Sequence, residues 1–254
     1  MEYPNKHFPW VAGLAGVMLV GLSLWVAVRG YPPINEQLFL AINRLGSRGG
    51  WFWQNVTILG EGLVAFVLLA SCSRRDGHFI RTLLLAALIA GLASQLLKQF
   101  LDMPRPAALL DPDTFNLIGA ELRAHAFPSG HATTALVAAV MGAWRFPRLA
   151  PAVYGLFALV AFSRMVVGAH WPFDVLAGAC LGYLCAVLAR YIASAWPRTE
   201  PGWLAPVSWL IVLALALWLP VFPLDYPAAR PLVLGVAGAG VVTAILNIRK
   251  LLSL

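Results

Sequence analysis

The sequence predicts an all-α, polytopic transmembrane helix bundle: a six-span core followed by two C-terminal spans. Two observations predict it. Hydrophobic residues make up 60% of the 254-residue chain and charged residues only 11%, whereas soluble domains carry roughly 45–50% apolar and about 25% charged residues. The apolar residues also gather into stretches close to the roughly 20 residues that a helix needs to cross a bilayer.

Taken in order, the apolar stretches are Trp10–Val28, Val56–Ser71, Leu83–Leu97, Ala132–Ala143, Ala152–Val167, Val175–Ile192, Leu204–Leu219 and Pro231–Ile248. The fourth is short and becomes adequate when taken from Pro128 to Trp144. The first is too long for a signal-peptide core, and "VAVRGYPP" after it carries no small-x-small cleavage site, so a retained helix is expected. Pro197–Pro201 is the expected break before the last two spans.

Loop charges set the orientation. Lys6, then Arg74, Arg75 and Arg81, then Arg145 and Arg148, then Arg190 and Arg198, and finally Arg249 and Lys250 all fall on one face if the spans alternate. That face is assigned to the cytoplasm, with both termini inside. The net charge of +7 follows from such flanking residues. No Lys/Arg-rich run is present, and nucleic acid is not an expected partner. Cys72, Cys180 and Cys185 lie in or beside spans without metal-ligand spacing and read as small packing residues.

Two non-cytoplasmic segments are long. Ile34–Leu45 has apolar residues near helical spacing and is expected to form an interfacial amphipathic helix, with Trp51 and Trp53 at headgroup level. Gln99–Phe127 is polar, is interrupted by Pro104, Pro106 and Pro112, and cannot be a span.

The polar residues at the outer edge converge under this topology. The third span ends in Lys98 and leads to Arg105, the fourth begins at Pro128-Ser129-Gly130-His131, and the fifth ends in Arg164 and leads through His170 to Asp174. A charge at membrane depth costs at least about 2.5–3.5 kcal/mol. Three like charges there are tolerable when an anion sits among them, and phosphate suits an arginine fork. A lone Lys98 would be read as snorkelling; Lys98, Arg105 and Arg164 together are not. Ser129 and Gly130 open a helix whose free N–H groups favour an anion, and Ser129 also suits a helix cap. His170 and Asp174 are four apart. The carboxylate can hold Nδ1–H and leave Nε2 free to attack, although near the start of a span Asp174 also suits a cap. Glu61, flanked by Gly60 and Gly62, is an intramembrane carboxylate expected to bond a neighbouring helix rather than to react. Ser163 either donates to the site or packs.

Lys98 with Arg105-Pro106, Pro128-Ser129-Gly130-His131, and Ser163-Arg164 through His170 and Asp174 together resemble the three signature motifs of the type 2 phosphatidic acid phosphatase superfamily, in order and without departure. Bacterial phosphatidylglycerophosphatase B and undecaprenyl pyrophosphate phosphatases are of this kind. The resemblance covers about Ile34 to Ile192. It implies a membrane phosphatase core over residues 1–198, with its site at the outer membrane edge, and leaves residues 199–254 as two additional spans without an assigned role. It implies that His170 is the nucleophile that becomes a phosphohistidine and that Asp174 orients it. His131 would protonate the leaving oxygen and then activate water, while Lys98, Arg105, Ser129, Gly130 and Arg164 would hold the phosphoryl oxygens. No metal and no cofactor is implied.

The expected function is therefore hydrolysis of a lipid phosphomonoester or pyrophosphate. The candidate substrates are undecaprenyl pyrophosphate, phosphatidylglycerophosphate, phosphatidate and lipid A 1-phosphate. The expected partners are that lipid phosphate and the surrounding membrane lipids, in a bacterial inner membrane with the site facing the periplasm. A lipid phosphotransferase using the same phosphohistidine, or a non-enzymatic lipid or anion transporter, are the alternatives.

Overall fold

The computed structural model describes residues 8–73, 76–196 and 204–252. Every regular element among them is helical: α1 (Phe8–Arg29), α2 (Pro33–Asn43), α3 (Gly50–Thr57), α4 (Gly62–Cys72), α5 (Gly77–Leu101), α6 (Pro106–Leu109), α7 (Gly130–Arg145), α8 (Ala150–Val166), α9 (Pro172–Ser194), α10 (Leu204–Trp218) and α11 (Arg230–Leu252). Six segments are long and apolar enough to cross a membrane: Trp10–Arg29, Gly77–Leu109, Pro147–Val166, Pro172–Ser194, Leu204–Val221 and Pro227–Leu251. The chain is a multi-pass membrane protein. Its outward-facing side chains agree, since Leu88, Leu92 and Leu96 line one face of α5 at 55%, 66% and 67% exposure, a stripe that suits lipid.

The core sits around α7. Its small residues Ala132, Ala135, Ala138 and Ala139 are buried, and one apolar cluster runs from them through Val67 of α4, Phe79 of α5, Val160 of α8, Ala186 of α9, Val212 of α10 and Val233 of α11. Helix α9 meets the α7 backbone at Gly178 and Gly182. A Cβ at either would collide with the backbone carbonyl oxygen of Ser129 or Thr133, respectively. Small residues four apart let two membrane helices touch backbone to backbone. Here that contact brings the start of α7 against the start of α9.

Two spans differ from the sequence expectation. Val56–Ser71 is not one continuous helix: the chain breaks between Gly60 and Gly62, and the two halves are bent by 75°. Glu61 is extended there (φ −69°, ψ 128°) and caps α4 through its own side chain, which accepts from Gly62 N at 3.1 Å. An acidic residue between two glycines favours a cap over helix continuation. The fourth span is 16 residues long, about 24 Å at 1.5 Å per residue, less than the roughly 30 Å hydrocarbon core. Because α7 is wrapped by α4, α5, α8 and α9, its length is not tied to the bilayer thickness.

Charges at the opposite end also gather. The Arg145 guanidinium donates to Ser73 O at 3.3 Å, Arg81 lies 5.4 Å from the Trp196 ring centroid, and Arg190 lies 4.9 Å from that of Trp144. Lys6, Arg74, Arg75 and Arg198, and the expected break at Pro197–Pro201, lie outside the described residues.

The two long connecting segments are a helix with a short turn and a loop, respectively. Ile34–Leu45 becomes α2 and a short 3-10 turn. The α2 face carrying Asn35, Phe39 and Asn43 is buried, while Ile34 and Leu38 are exposed. Gln99–Phe127 is mostly loop, with the single turn α6 and a 3-10 turn at Pro112–Thr114.

Candidate active site

Four helix ends meet at one place. Lys98 stands in the last turn of α5, Gly130 and His131 open α7, Arg164 stands in the last turn of α8, and Asp174 lies in the first turn of α9. Caps explain the local geometry. Ser129 has its own side chain accepting from Ala132 N at 3.4 Å and its N–H donating to Asp174 O at 2.9 Å. Pro172 starts α9 with a preset φ. Asp174 Oδ2 accepts from Trp171 N at 2.9 Å. Capping and positioning are thus performed by the same atoms.

Asp174 is fully buried, and each oxygen of its carboxylate has a partner. Oδ2 lies 3.2 Å from His170 Nδ1 and Oδ1 accepts from the Tyr31 hydroxyl at 2.5 Å. A carboxylate at Nδ1 fixes the tautomer that leaves Nε2 with its lone pair free. Burial, and then the positive charges of Arg105, Lys98 and Arg164, hold the His170 pKa well below the usual histidine value. The ring is therefore neutral at physiological pH. Burial, and then the Asp174 charge, push the Tyr31 hydroxyl upward, so it remains a donor.

The three cations are held differently. Arg105 is 7% exposed; its Nε donates to Ala124 O at 2.9 Å and its Nη1 to Ala169 O at 3.2 Å. Lys98 Nζ donates to His125 O at 2.9 Å. Arg164 is 3% exposed, and its Nη1 donates to Thr57 Oγ1 at 2.7 Å and Tyr226 Oη at 2.6 Å. Gly130 faces Lys98, since a Cβ there would lie 3.9 Å from Lys98 Cε. The two buried guanidiniums and the half-buried Lys98 face neutral oxygens, an electropositive arrangement that favours an oxyanion. Among the described residues, no three His, Cys, Asp or Glu side chains gather so as to hold a metal ion.

His131 Nε2 is buried without a hydrogen-bond partner and lies 3.8 Å from Glu61 Oε2. The break between α3 and α4 thus presents Glu61 to the second histidine. Both residues line a cavity of about 480 Å³ that runs from Lys98 and Gly130 to the apolar Phe66, Leu69 and Leu83. Ser163 is spent within its own helix, donating to Val160 O at 2.6 Å.

All eight residues singled out in the sequence, Lys98, Arg105, Ser129, Gly130, His131, Arg164, His170 and Asp174, face this region or the turns that frame it. Sequence reasoning missed Tyr31, Thr57 and Tyr226. It also missed Asn43, whose side chain bonds Met165 O, Val166 O and the Asn116 backbone and so fixes the turn after α8. A tyrosine ahead of a proline pair, in "RGYPP", is the sole local signal among them.

Residues 79–198 match the PAP2 superfamily. The chain is 31% identical over 211 residues to the undecaprenyl-diphosphatase of Sulfolobus acidocaldarius, which covers 76% of this chain and 95% of that protein. The chain belongs to the PAP2 superfamily. A second relative is the lipid A 1-phosphatase of Rhizobium etli, 29% identical over 124 residues, 44% of this chain and 53% of the relative. The chain thus spans about half the length of that enzyme. The crystal structure of Aquifex aeolicus LpxE superposes with a TM-score of 0.56 at 27% identity, covering 65% of this chain and 99% of LpxE. The PAP2 match ends at residue 198, before α10 and α11.

Proposed function

We propose that this PAP2 protein is an integral membrane lipid phosphatase that hydrolyses a lipid phosphomonoester or pyrophosphate through a phosphohistidine on His170. The observation that carries the reading is the buried His170, with Asp174 Oδ2 3.2 Å from its Nδ1, beside Arg105, Lys98 and Arg164.

In the first step the lone pair on His170 Nε2 attacks phosphorus. The bond from phosphorus to the lipid oxygen breaks, and His131 gives that oxygen a proton. The imidazolium formed at His170 is balanced by the Asp174 carboxylate. In the second step His131 takes a proton from water, the water oxygen attacks phosphorus, the N–P bond breaks, and inorganic phosphate leaves with His170 neutral again. Lys98, Arg105, Arg164 and the backbone at Ser129 and Gly130 hold the phosphoryl oxygens. Such fixed positive groups supply most of phosphoryl-transfer catalysis.

The substrate is a phosphate on an apolar tail. The cavity between α4, α5 and α7 runs from Lys98 and His131 to apolar side chains such as Phe66, Leu69 and Leu83, a shape that suits such a molecule. The relatives' names point to an undecaprenyl pyrophosphate or a lipid A 1-phosphate; phosphatidylglycerophosphate and phosphatidate complete the set. The basic residues at the opposite end support a site that faces the periplasm from the inner membrane.

The test is phosphate release by the purified protein from these four lipids, with EDTA present. Release from at least one is expected. No release from any of them, or release only after a divalent metal is restored, contradicts the reading. Transfer to a second lipid without free phosphate would make the protein a phosphotransferase.

A further inference from the structure

We propose that the C-terminal hairpin α10–α11 completes the phosphate-binding site, with Tyr226 as a positioning residue for Arg164. The proposal rests on the phosphatase reading only in naming phosphate as the anion.

Arg164 presents an unusual balance. It is almost fully buried, yet among the described residues it makes no ion pair. Its Nη1 is held by two neutral oxygens, Thr57 Oγ1 at the end of α3 and Tyr226 Oη from the turn before α11. Its carbon centre lies 5.7 Å from the Tyr226 ring centroid. Its Nε is buried without a partner. An uncompensated buried guanidinium is costly. A carboxylate in place of the phenol would relieve that cost and would also cancel the charge that binds an oxyanion. Phenol and hydroxyl fix one edge of the guanidinium while leaving its charge and its Nε–H for a ligand.

The hairpin is itself fixed at this point. Ala228 N donates to Gln54 Oε1 at 3.0 Å. The Tyr226 ring lies against Gly119, whose φ is +101° and where a Cβ would lie 2.6 Å from Tyr226 Cε1. Gly119 follows Ile118, whose N–H donates to Val167 O at 2.9 Å. The outer loop, the end of α8 and the hairpin turn therefore close on one tyrosine. The PAP2 match ends before these two helices, and LpxE is covered almost whole by 65% of this chain. Tyr226 thus gives the α10–α11 hairpin a task at the site.

The test compares Y226F, R164K and the double variant in the full chain. The readings are kcat and KM on a lipid phosphate, inorganic-phosphate binding by calorimetry, and Tm. Y226F keeps the ring and removes the acceptor for a charged donor, so phosphate affinity and kcat/KM should each fall about tenfold at unchanged Tm. In the R164K background Y226F should cost nothing further, because the effect passes through Arg164. Unchanged phosphate affinity in Y226F overturns the proposal, as does a lowered Tm with phosphate affinity intact. Losses that simply add to those of R164K also overturn it. If no lipid is hydrolysed by the wild type, the phosphatase reading fails, and calorimetry still decides this one.

Discussion

The Tyr31 hydroxyl donates a 2.5 Å hydrogen bond to Oδ1 of Asp174, the carboxylate whose other oxygen faces His170 Nδ1. Tyr31 comes from the linker after α1, so the first span helps to orient a pair set on the fifth loop and α9. Replacing Tyr31 with Phe keeps the ring that packs against Trp171, at 5.6 Å between centroids, and removes only the donor. A charge-assisted hydrogen bond contributes on the order of 1.5–3 kcal/mol. Y31F should therefore lose about tenfold or more in kcat with little change in KM. Unchanged kcat would remove Tyr31 from the site's machinery.

The acid limb of activity should lie low. His170 must be neutral to attack, and its pKa in the folded protein is depressed by burial and then by Arg105, Lys98 and Arg164. With a folded value below the unfolded one of about 6.5, the neutral form persists to lower pH, and activity is lost only as pH falls through the depressed value. Stability changes in the same direction: below about pH 6.5 the unfolded chain binds this proton more readily, so the fold weakens on acidification. R105Q removes the largest of the depressing charges and should move the acid limb of kcat/KM upward. A limb that stays in place, or moves down, contradicts this account of the site's field.

Much of this was legible because it is local. Each signature cluster lies within one short stretch of chain at a helix end, and alternating spans bring Lys98, His131, Arg164 and Asp174 to one side. What was not legible is contact across the chain. Tyr31 lies 143 residues from Asp174, Thr57 107 from Arg164 and Tyr226 62 from Arg164. A hydroxyl that meets its partner only after packing leaves no periodicity or motif behind. The break at Glu61 was hidden for another reason. Apolar residues on both sides give one hydropathy maximum, and an acidic residue between two glycines reads equally as a helix-to-helix bond.

Sidedness follows from the same loop charges. Single cysteines placed at Asp113 and Arg148, both exposed, in a background lacking Cys72, Cys180 and Cys185, report it. A membrane-impermeant thiol reagent on spheroplasts should label position 113 and spare position 148. The opposite pattern would put the site in the cytoplasm and leave inner-leaflet phospholipids as the substrates.

The central claim is covalent catalysis at His170, and trapping tests it most directly. Protein mixed with a phosphate-labelled lipid substrate, quenched rapidly without acid and digested, should carry label on the peptide containing His170. H170N should carry none. H131A, given a substrate whose leaving group needs no proton, should accumulate label, because the water step is slowed while the first step proceeds. Label that persists in H170N, or a wild-type enzyme that turns over without ever carrying label, would contradict the account.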